Sequence, residues 1–228
     1  MSQQEIKWDG RTYPYIPSKE LNIDPTLKLH SRAADTVDPV TYEVIRHAMW
    51  NINVEHGNTI MRISGSPSCA YGHDFNPSLL DEKGDFVFFG PFLQYLSSAT
   101  GSAVKWTLEN RSDNPGIQDG DIFLTNDPWV GATHQSDVAL ISPIFWEGEL
   151  FCWVGNTLHQ WDLGGTAPGG FNPMAEDIYW ESGCIPPIKI VEQGRLRKDL
   201  EEEYIRRSRM PQLVALDLRA EIAGCNVA

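Results

Sequence analysis

Residues 126–165 decide the fold of this chain and read NDPWVGATHQSDVALISPIFWEGELFCWVGNTLHQWDLGG. Two apolar segments, Val138–Trp146 and Leu150–Val154, flank the turn-forming sequence Glu147-Gly148-Glu149. Apolar segments on both sides of a short glycine-containing turn predict a β-hairpin. Pro143 falls inside the first segment, and proline fits only an edge, a start or a bulge of a strand, so the pattern predicts an irregularity there.

Two His-x-x-Asp units, His134/Asp137 and His159/Asp162, stand at the two ends of the predicted hairpin. Asp137 and His159 each lie eleven residues from Gly148. A hairpin that pairs symmetrically about that turn places them opposite each other on one face, with Cβ atoms about 4.5–5.5 Å apart. The His134 side chain, three residues before Asp137, can reach the same point. Two imidazoles and one carboxylate that converge there form a metal site with open positions.

The alternatives to a metal site stay open at this point. A single His-x-x-Asp unit is common as a hydrogen-bonded surface pair. Asp162 can be a fourth ligand, a partner that orients His159, or a residue that forms the turn. His73 and Asp74 can approach the site, or they can form a buried and satisfied pair. The sequence alone assigns no catalytic residue.

Length and charge limit the classes of protein. The 228 residues suffice for one large domain or two small ones. The formal net charge of −13 disfavours nucleic acid and anionic membranes as partners, because both attract clustered lysine and arginine. The first residues contain no apolar segment typical of a signal peptide, and no apolar run approaches the roughly 20 residues of a membrane span. These features predict a cytoplasmic protein.

Tryptophan and cysteine contents give two further expectations. The chain has eight tryptophans, a number that indicates large buried contact areas within the domain or against partner subunits. It has four cysteines without a Cys-x-x-Cys pair, which is typical of reduced and mostly buried thiols in a cytoplasmic protein.

The remaining segments predict an α+β fold with a mixed, largely antiparallel sheet and packed helices. Residues 1–37 have little periodicity and are interpreted as an extended N-terminal arm that wraps a neighbour, since ordering such an arm requires a surface. Asp38-Pro39 is typical of a helix start, and helical spacing continues to about Ile63. Further helices are predicted over Leu96–Asn110, over Leu196–Arg209 and from Pro211 onward, and strands near Pro77–Asp81, Phe86–Phe89, Asp121–Leu124 and Ile185–Val191. Residues 164–170, GGTAPGG, form a loop without the Gly-Lys-Ser/Thr of a phosphate-binding loop, so no nucleotide site is predicted.

Six blocks of the sequence resemble the amino-terminal part of the hydantoinase B/oxoprolinase family. They read DPVTYEVIRHAMW, HDFNPSLLDEKGDFVFFGPF, AVKWTLENRSDNPGIQDGDIFLTNDPWVGATHQSDV, ELFCWVGNTLHQWDLGG, IPPIKI and EEEYIRRSRMPQLVALDLRAEIAG. The most specific part is the pair TNDPWVGATHQSDV and LHQWDLGG. Within the family, the blocks are most similar to the alpha subunits of acetone carboxylases. The resemblance covers residues 38–228 and implies a hydantoinase B-like metal-binding domain that continues beyond this chain in the full subunit.

The resemblance also implies an activity and a set of partners. Acetone carboxylases convert acetone and bicarbonate to acetoacetate with ATP. The alpha subunit holds Mn²⁺ through two histidines and an aspartate, which match His134, Asp137 and His159. ATP is held by a hydantoinase A-like beta subunit, where it activates both substrates by phosphorylation. The hetero-oligomer is completed by a small gamma subunit.

Four other functions remain open beside the acetone carboxylase. Two belong to related enzymes: an ATP-dependent amidohydrolase of the hydantoinase or 5-oxoprolinase type, and a carboxylase of acetophenone. A two-histidine, one-carboxylate set also suits a non-haem iron oxygenase. The last alternative is a non-catalytic assembly module. Affinity alone favours Zn²⁺ or Fe²⁺ over Mn²⁺, so the manganese expectation rests on the resemblance.

Overall fold

The computed structural model describes residues 14–228, and its centre is a seven-stranded sheet in the order β2-β1-β5-β4-β3-β6-β7. The strands are β1 (Phe75–Asp81), β2 (Phe86–Phe89), β3 (Ile122–Thr125), β4 (Asp137–Trp146), β5 (Glu149–His159), β6 (Ile188–Glu192) and β7 (Arg195–Leu196). Every pair of neighbouring strands is antiparallel. The predicted α+β class with a largely antiparallel sheet is confirmed.

The predicted hairpin forms the two central strands. Its turn has two residues, Glu147 and Gly148, both with positive φ (51° and 80°), the conformation favoured in tight hairpins. Next to the turn, Trp146 pairs with Glu149, a register that by itself would bring Leu158 rather than His159 opposite Asp137. A β-bulge at Phe151 shifts the pairing by one residue. The predicted opposition of Asp137 and His159 is therefore confirmed, with a bulge in place of a wider turn.

Pro143 lies inside the long central strand β4. Strand β3 pairs only with Ala139–Ile141, so at Pro143 the described strands leave β5 as the single neighbour of β4. Proline is tolerated where one side of a strand needs no backbone donor. Strand β5 continues to His159, well beyond the predicted Val154, because its polar second half is paired on both sides by β1 and β4.

Five α-helices accompany the sheet in the described part of the chain: α1 (Pro39–Ile63), α2 (Pro67–Ala70), α3 (Ser98–Arg111), α4 (Lys198–Arg206) and α5 (Pro211–Val227). The start of α1 is confirmed, and the Asp38 carboxylate accepts hydrogen bonds from the backbone N–H groups of Val40 and Thr41 at 3.0 and 3.1 Å. Helix α4 is shorter than predicted, because Leu196 belongs to β7. No described helix is long and apolar enough to cross a membrane.

Alternation along the strands divides the core between the two faces of the sheet. One face carries Leu79, Leu124, Leu140, Val154 and residues of α1, α4 and α5. The other face carries Leu80, Phe123, Ile141, Trp153 and residues of α3. Adjacent residues of one strand serve opposite faces, as the two-residue period of a strand requires. The sheet therefore lies between two apolar layers.

The described part of the N-terminal arm packs on its own domain. The carboxylate of Glu109 on α3 accepts hydrogen bonds from the Tyr15 hydroxyl at 2.5 Å and from the backbone of Asn22 at 3.2 Å. The backbone N–H of His30 donates to the carbonyl of Leu150 at 2.9 Å. For this part of the arm, α3 and β5 supply a surface within the same domain. Contact of the arm with a neighbour stays a prediction, and residues 1–13 lie outside the described residues. All four cysteines are free thiols.

A buried ion pair fastens β6 to the loop before β3. Lys189 Nζ lies 2.8 Å from Asp121 Oδ2, with the two side chains 4% and 0% exposed. Asp121 also accepts hydrogen bonds from the backbone N–H groups of Gln118 and Gln193 at 2.8 and 2.9 Å. Both carboxylate oxygens therefore have hydrogen-bond donors, but among the described residues the positive charge that pairs with the carboxylate comes from Lys189.

We predict that Lys189→Met lowers the free energy of unfolding by about 3–5 kcal/mol, because a buried carboxylate loses its cation. Adding Asp121→Asn should restore part of that loss. The matched control is Arg197→Met, which breaks an exposed pair with Asp199. Urea unfolding of the variants measures the effects, and a Lys189→Met loss no larger than that of Arg197→Met would contradict the prediction.

Candidate metal centre

The two ends of the central hairpin position the predicted metal ligands. Asp137 is the first residue of β4 and His159 is the last residue of β5, and they face each other. His134 is held by the turn before β4, where the backbone N–H of Asp137 donates to the His134 carbonyl at 3.1 Å. Asp137 Oδ1 lies 3.2 Å from His134 Nε2 and 3.0 Å from His159 Nδ1. One potential ligand atom from each residue lies within 4.8 Å of the others.

The arrangement fits a divalent cation. Asp137 is completely buried, and its Oδ2 has no hydrogen-bond partner among the described residues. The two imidazole rings are tilted, with centroids 4.9 Å apart, and both direct a nitrogen at the same carboxylate. Buried charges in proteins are paired or coordinate metals. Two imidazole nitrogens and a carboxylate oxygen are ligands that zinc, iron and manganese accept.

The electrostatics of the three groups favour a bound cation. Burial alone raises the pKa of Asp137, but the hydrogen bonds and charges of the two histidines lower it to about 2. Burial lowers the pKa of His134, yet the hydrogen bond and charge of Asp137, with smaller effects of Glu181 and Asp74, outweigh it and the pKa is raised. A permanent negative charge therefore lies between two basic nitrogens.

Asp74 is a fourth functional candidate whose place the sequence left open. Its Oδ2 lies 4.0 Å from His159 Nδ1, and its carbonyl accepts a hydrogen bond from the His159 backbone at 2.9 Å. Burial raises the pKa of Asp74, and its Oδ1 is buried without a partner among the described residues. His73 is exposed and packs edge-on against Phe92, so the alternative of a buried His73–Asp74 pair is wrong.

The Asp162 carboxylate stabilises the loop at residues 164–170 rather than orienting His159. Its carboxylate accepts hydrogen bonds from the backbone N–H groups of Gly164 and Gly169, both at 2.9 Å. The Arg209 guanidinium lies 3.1 Å from Asp162 Oδ2. These contacts fit the turn-forming role. The alternatives of an additional ligand and of a partner for His159 are not supported, because the carboxylate is committed to the loop and to Arg209.

Comparison with known proteins identifies the family. Residues 38–228 match the family described as Hydantoinase B/oxoprolinase. The chain belongs to this family. Its hairpin, with the His134, Asp137 and His159 cluster, lies within the matched region. The resemblance seen in the sequence blocks is thereby confirmed at the level of the family.

The relatives include enzymes of different activities. The beta subunit of the caprolactamase of Pseudomonas jessenii is 31% identical over 193 residues, which are 85% of this chain and 33% of that protein. The alpha subunit of the acetone carboxylase of Xanthobacter autotrophicus is 30% identical over 203 residues, which are 89% of this chain and 26% of that protein. The chain thus spans a quarter to a third of the length of these relatives.

Two solved structures share the fold. The nucleotide-free structure of acetone carboxylase matches with a TM-score of 0.79 and 31% identity, over 83% of this chain and 25% of that chain. The ATP-dependent caprolactamase from Pseudomonas jessenii matches with a TM-score of 0.74 and 30% identity, over 85% of this chain and 33% of that chain. The family therefore contains ATP-dependent enzymes that include both a carboxylase and an amidohydrolase.

We predict that His159→Ala in this hydantoinase B-like domain removes a stoichiometric divalent cation without unfolding the protein. Loss of an outer partner of a ligand costs about 10–100-fold in metal affinity, so loss of a ligand should cost at least as much. His47→Ala, an exposed change on α1, is the control. Elemental analysis and circular dichroism measure the outcome; equal metal contents in both variants would refute the assignment.

A second prediction concerns the pH dependence of metal affinity. A metal binds the neutral imidazole, so protons compete for His134 as the pH falls through its raised pKa, which lies above 6.5. Affinity should therefore begin to fall at a higher pH than for an unperturbed histidine, and binding should release protons. Calorimetry in buffers of different ionisation enthalpy counts those protons. Binding without proton release at pH 6.5 would contradict the raised pKa.

Proposed function

We propose that this chain forms the metal-binding part of an ATP-dependent ketone carboxylase that converts acetone and bicarbonate to acetoacetate. The observation that carries the proposal is the convergence of His134, Asp137 and His159 on one point within 4.8 Å. Two further observations support it. The alpha subunit of an acetone carboxylase is 30% identical over 89% of this chain, and the acetone carboxylase structure has a TM-score of 0.79.

The proposed cofactor is one Mn²⁺ held by these three residues. Their donor set also accepts Zn²⁺ and Fe²⁺, which bind such ligands more tightly, so manganese is proposed on the resemblance to acetone carboxylases. When bound, a divalent cation supplies Lewis acidity, which polarises carbonyl and carboxyl oxygens and stabilises negative charge on them. Three protein ligands leave coordination positions open for substrate.

Asp74 provides the base that the reaction requires. A ketone must lose a weakly acidic methyl proton before it attacks a carboxyl carbon, and general bases in enzymes perform this transfer. The Asp74 carboxylate is beside the metal ligands, 4.0 Å from His159 Nδ1, and its Oδ1 has no protein partner among the described residues. We assign it the role of accepting that proton. His134, Asp137 and His159 would hold the cation, which would supply Lewis acidity at the reacting oxygens.

ATP is assigned to a different polypeptide of the assembly. The loop at residues 164–170 has no Gly-Lys-Ser/Thr sequence with which to bind phosphate. Three relatives are named as single subunits of larger enzymes: a caprolactamase, an acetone carboxylase and a putative D-/L-hydantoinase. We propose a hetero-oligomer in which ATP occupies a hydantoinase A-like beta subunit, with a small gamma subunit as the third component.

An ATP-dependent amidohydrolase is the second candidate. It is favoured by the similarity of the chain to the caprolactamase beta subunit at 31% identity and to Arabidopsis thaliana 5-oxoprolinase 1 at 28% identity. These values do not separate it from a carboxylase. The two reactions differ in their substrates, since a lactamase needs a cyclic amide and water, whereas the carboxylase needs a ketone and bicarbonate.

The deciding experiment measures ATP hydrolysis by the assembly that purifies with this chain. We predict turnover that requires both acetone and bicarbonate, with label from ¹⁴C-bicarbonate appearing in acetoacetate. His159→Ala should abolish it, and His47→Ala should leave it unchanged. Acetophenone replaces acetone in a parallel assay.

Each alternative gives a different outcome in the same assay. Turnover with caprolactam or 5-oxoproline in the absence of bicarbonate would replace the carboxylase with the amidohydrolase. Stoichiometric iron with oxygen consumption would indicate an oxygenase. An assembly in which this chain binds no metal would leave only the role of an assembly module. An ATP analogue that crosslinks chiefly to this chain would overturn the assignment of the nucleotide to a partner.

A further inference from the structure

Tyr95 lies on a short turn that is fastened beside the metal centre. The turn is a 3₁₀ helix, Gln94–Ser97, that leads into α3. The backbone N–H of Leu93 donates to the Phe75 carbonyl at 3.1 Å. Asn76 Nδ2 donates to Ser97 Oγ at 2.7 Å. Phe75 and Asn76 directly follow Asp74, so these bonds hold the turn against the segment that carries the proposed base.

Residues before and after Tyr95 attach the turn to the rest of the fold. Leu96 and Ser97 are completely buried, whereas Tyr95 is 53% exposed. A second bond strengthens the attachment, because the Asn76 side chain accepts a hydrogen bond from the backbone N–H of Phe92 at 3.1 Å. The tyrosine side chain therefore extends from a well-attached turn, which is the arrangement that precise recognition of a ligand requires.

The carboxylates of the metal centre affect the pKa of the Tyr95 phenol. Partial burial raises the pKa of Tyr95, and the negative charges of Asp74 and Asp137 raise it further. The hydrogen bonds that join the turn to Phe75 and Asn76 place Tyr95 next to the segment that carries Asp74. The hydroxyl is thus a neutral hydrogen-bond donor at neutral pH.

We propose that the Tyr95 hydroxyl donates a hydrogen bond to an oxygen of the substrate at the His134, Asp137 and His159 centre. The ligand class is a small carbonyl compound or its enolate, whose oxygen carries negative charge. This inference rests on the proposed function and adds a binding residue to it. A neutral donor near two carboxylates suits that oxygen, because Asp74 and Asp137 can only accept hydrogen bonds when ionised.

The test uses acetohydroxamate, a small oxyanion that chelates divalent cations, with the metal-loaded assembly. Calorimetry should give a dissociation constant about tenfold or more higher for Tyr95→Phe than for the unchanged chain, as loss of a hydrogen bond to a charged group predicts. Metal content should stay the same. In the turnover assay, Tyr95→Phe should lower kcat/KM for the ketone.

Tyr42→Phe is the matched control. Tyr42 is 57% exposed and sits in the first turn of α1. The other end of that helix leads to Ser68, whose hydroxyl bonds the His159 carbonyl. Ser64, the cap residue at that end, is 22 residues from Tyr42, or about 33 Å along the axis at about 1.5 Å per residue. The control removes the same hydroxyl from a comparably exposed tyrosine, and its affinity for acetohydroxamate should equal that of the unchanged chain.

The outcomes separate this inference from the proposed function. Equal acetohydroxamate affinity in Tyr95→Phe and Tyr42→Phe overturns the role of Tyr95, whatever the enzyme does. A loss of metal in Tyr95→Phe also overturns it, because the residue would then belong to the cation site itself. Tyr95-dependent affinity without bicarbonate-dependent turnover supports the role of Tyr95 and rejects only the carboxylase.

Discussion

A single buried carboxylate, that of Asp137, is the interaction on which the candidate site depends. Removing a charge from water costs several kcal/mol. Among the described residues, only two imidazole nitrogens interact with the buried Asp137 carboxylate. The surrounding backbone holds those imidazoles in place. His159 donates its N–H to the Asp74 carbonyl, and its own carbonyl accepts a hydrogen bond from Ser68 Oγ at 2.8 Å. Main-chain geometry therefore prepares the site before any cation arrives.

The layered sheet allows this charge to be buried without loss of the core. Leu140 and Ile141 on β4 contribute to opposite apolar layers, while Asp137 occupies the end of the same strand. Strand ends are places where side chains leave the close-packed interior and meet loops. The apolar layers stabilise the fold, and the candidate site lies at the polar strand ends. Substitutions in the apolar layers should therefore have little effect on the site, and substitutions in the site should have little effect on the stability of the layers.

Local patterns predicted the hairpin, the start of α1 and the convergence of His134, Asp137 and His159, because each depends on residues close in sequence. The proposed role of Asp74 depends on the register of β1 against β5, in which Phe75 pairs with Leu158. The role of Asp162 required Arg209, a residue that only the folded chain brings near. The contact of the arm with its own domain was not predicted for the same reason, since its acceptor Glu109 lies on α3. Contacts between residues far apart in the sequence cannot be predicted from residue spacing and secondary-structure propensity.

The bulge at Phe151 has a consequence for how this hairpin tolerates insertions and deletions. Side chains alternate between faces, so an indel of one residue on either strand inverts the face of everything beyond it. An added turn residue can be offset by loss of the bulge, and a two-residue indel preserves the facing of Asp137 and His159. Parity is thus the quantity under constraint between these two residues, so the length of the turn can change only in steps of two residues or together with the bulge.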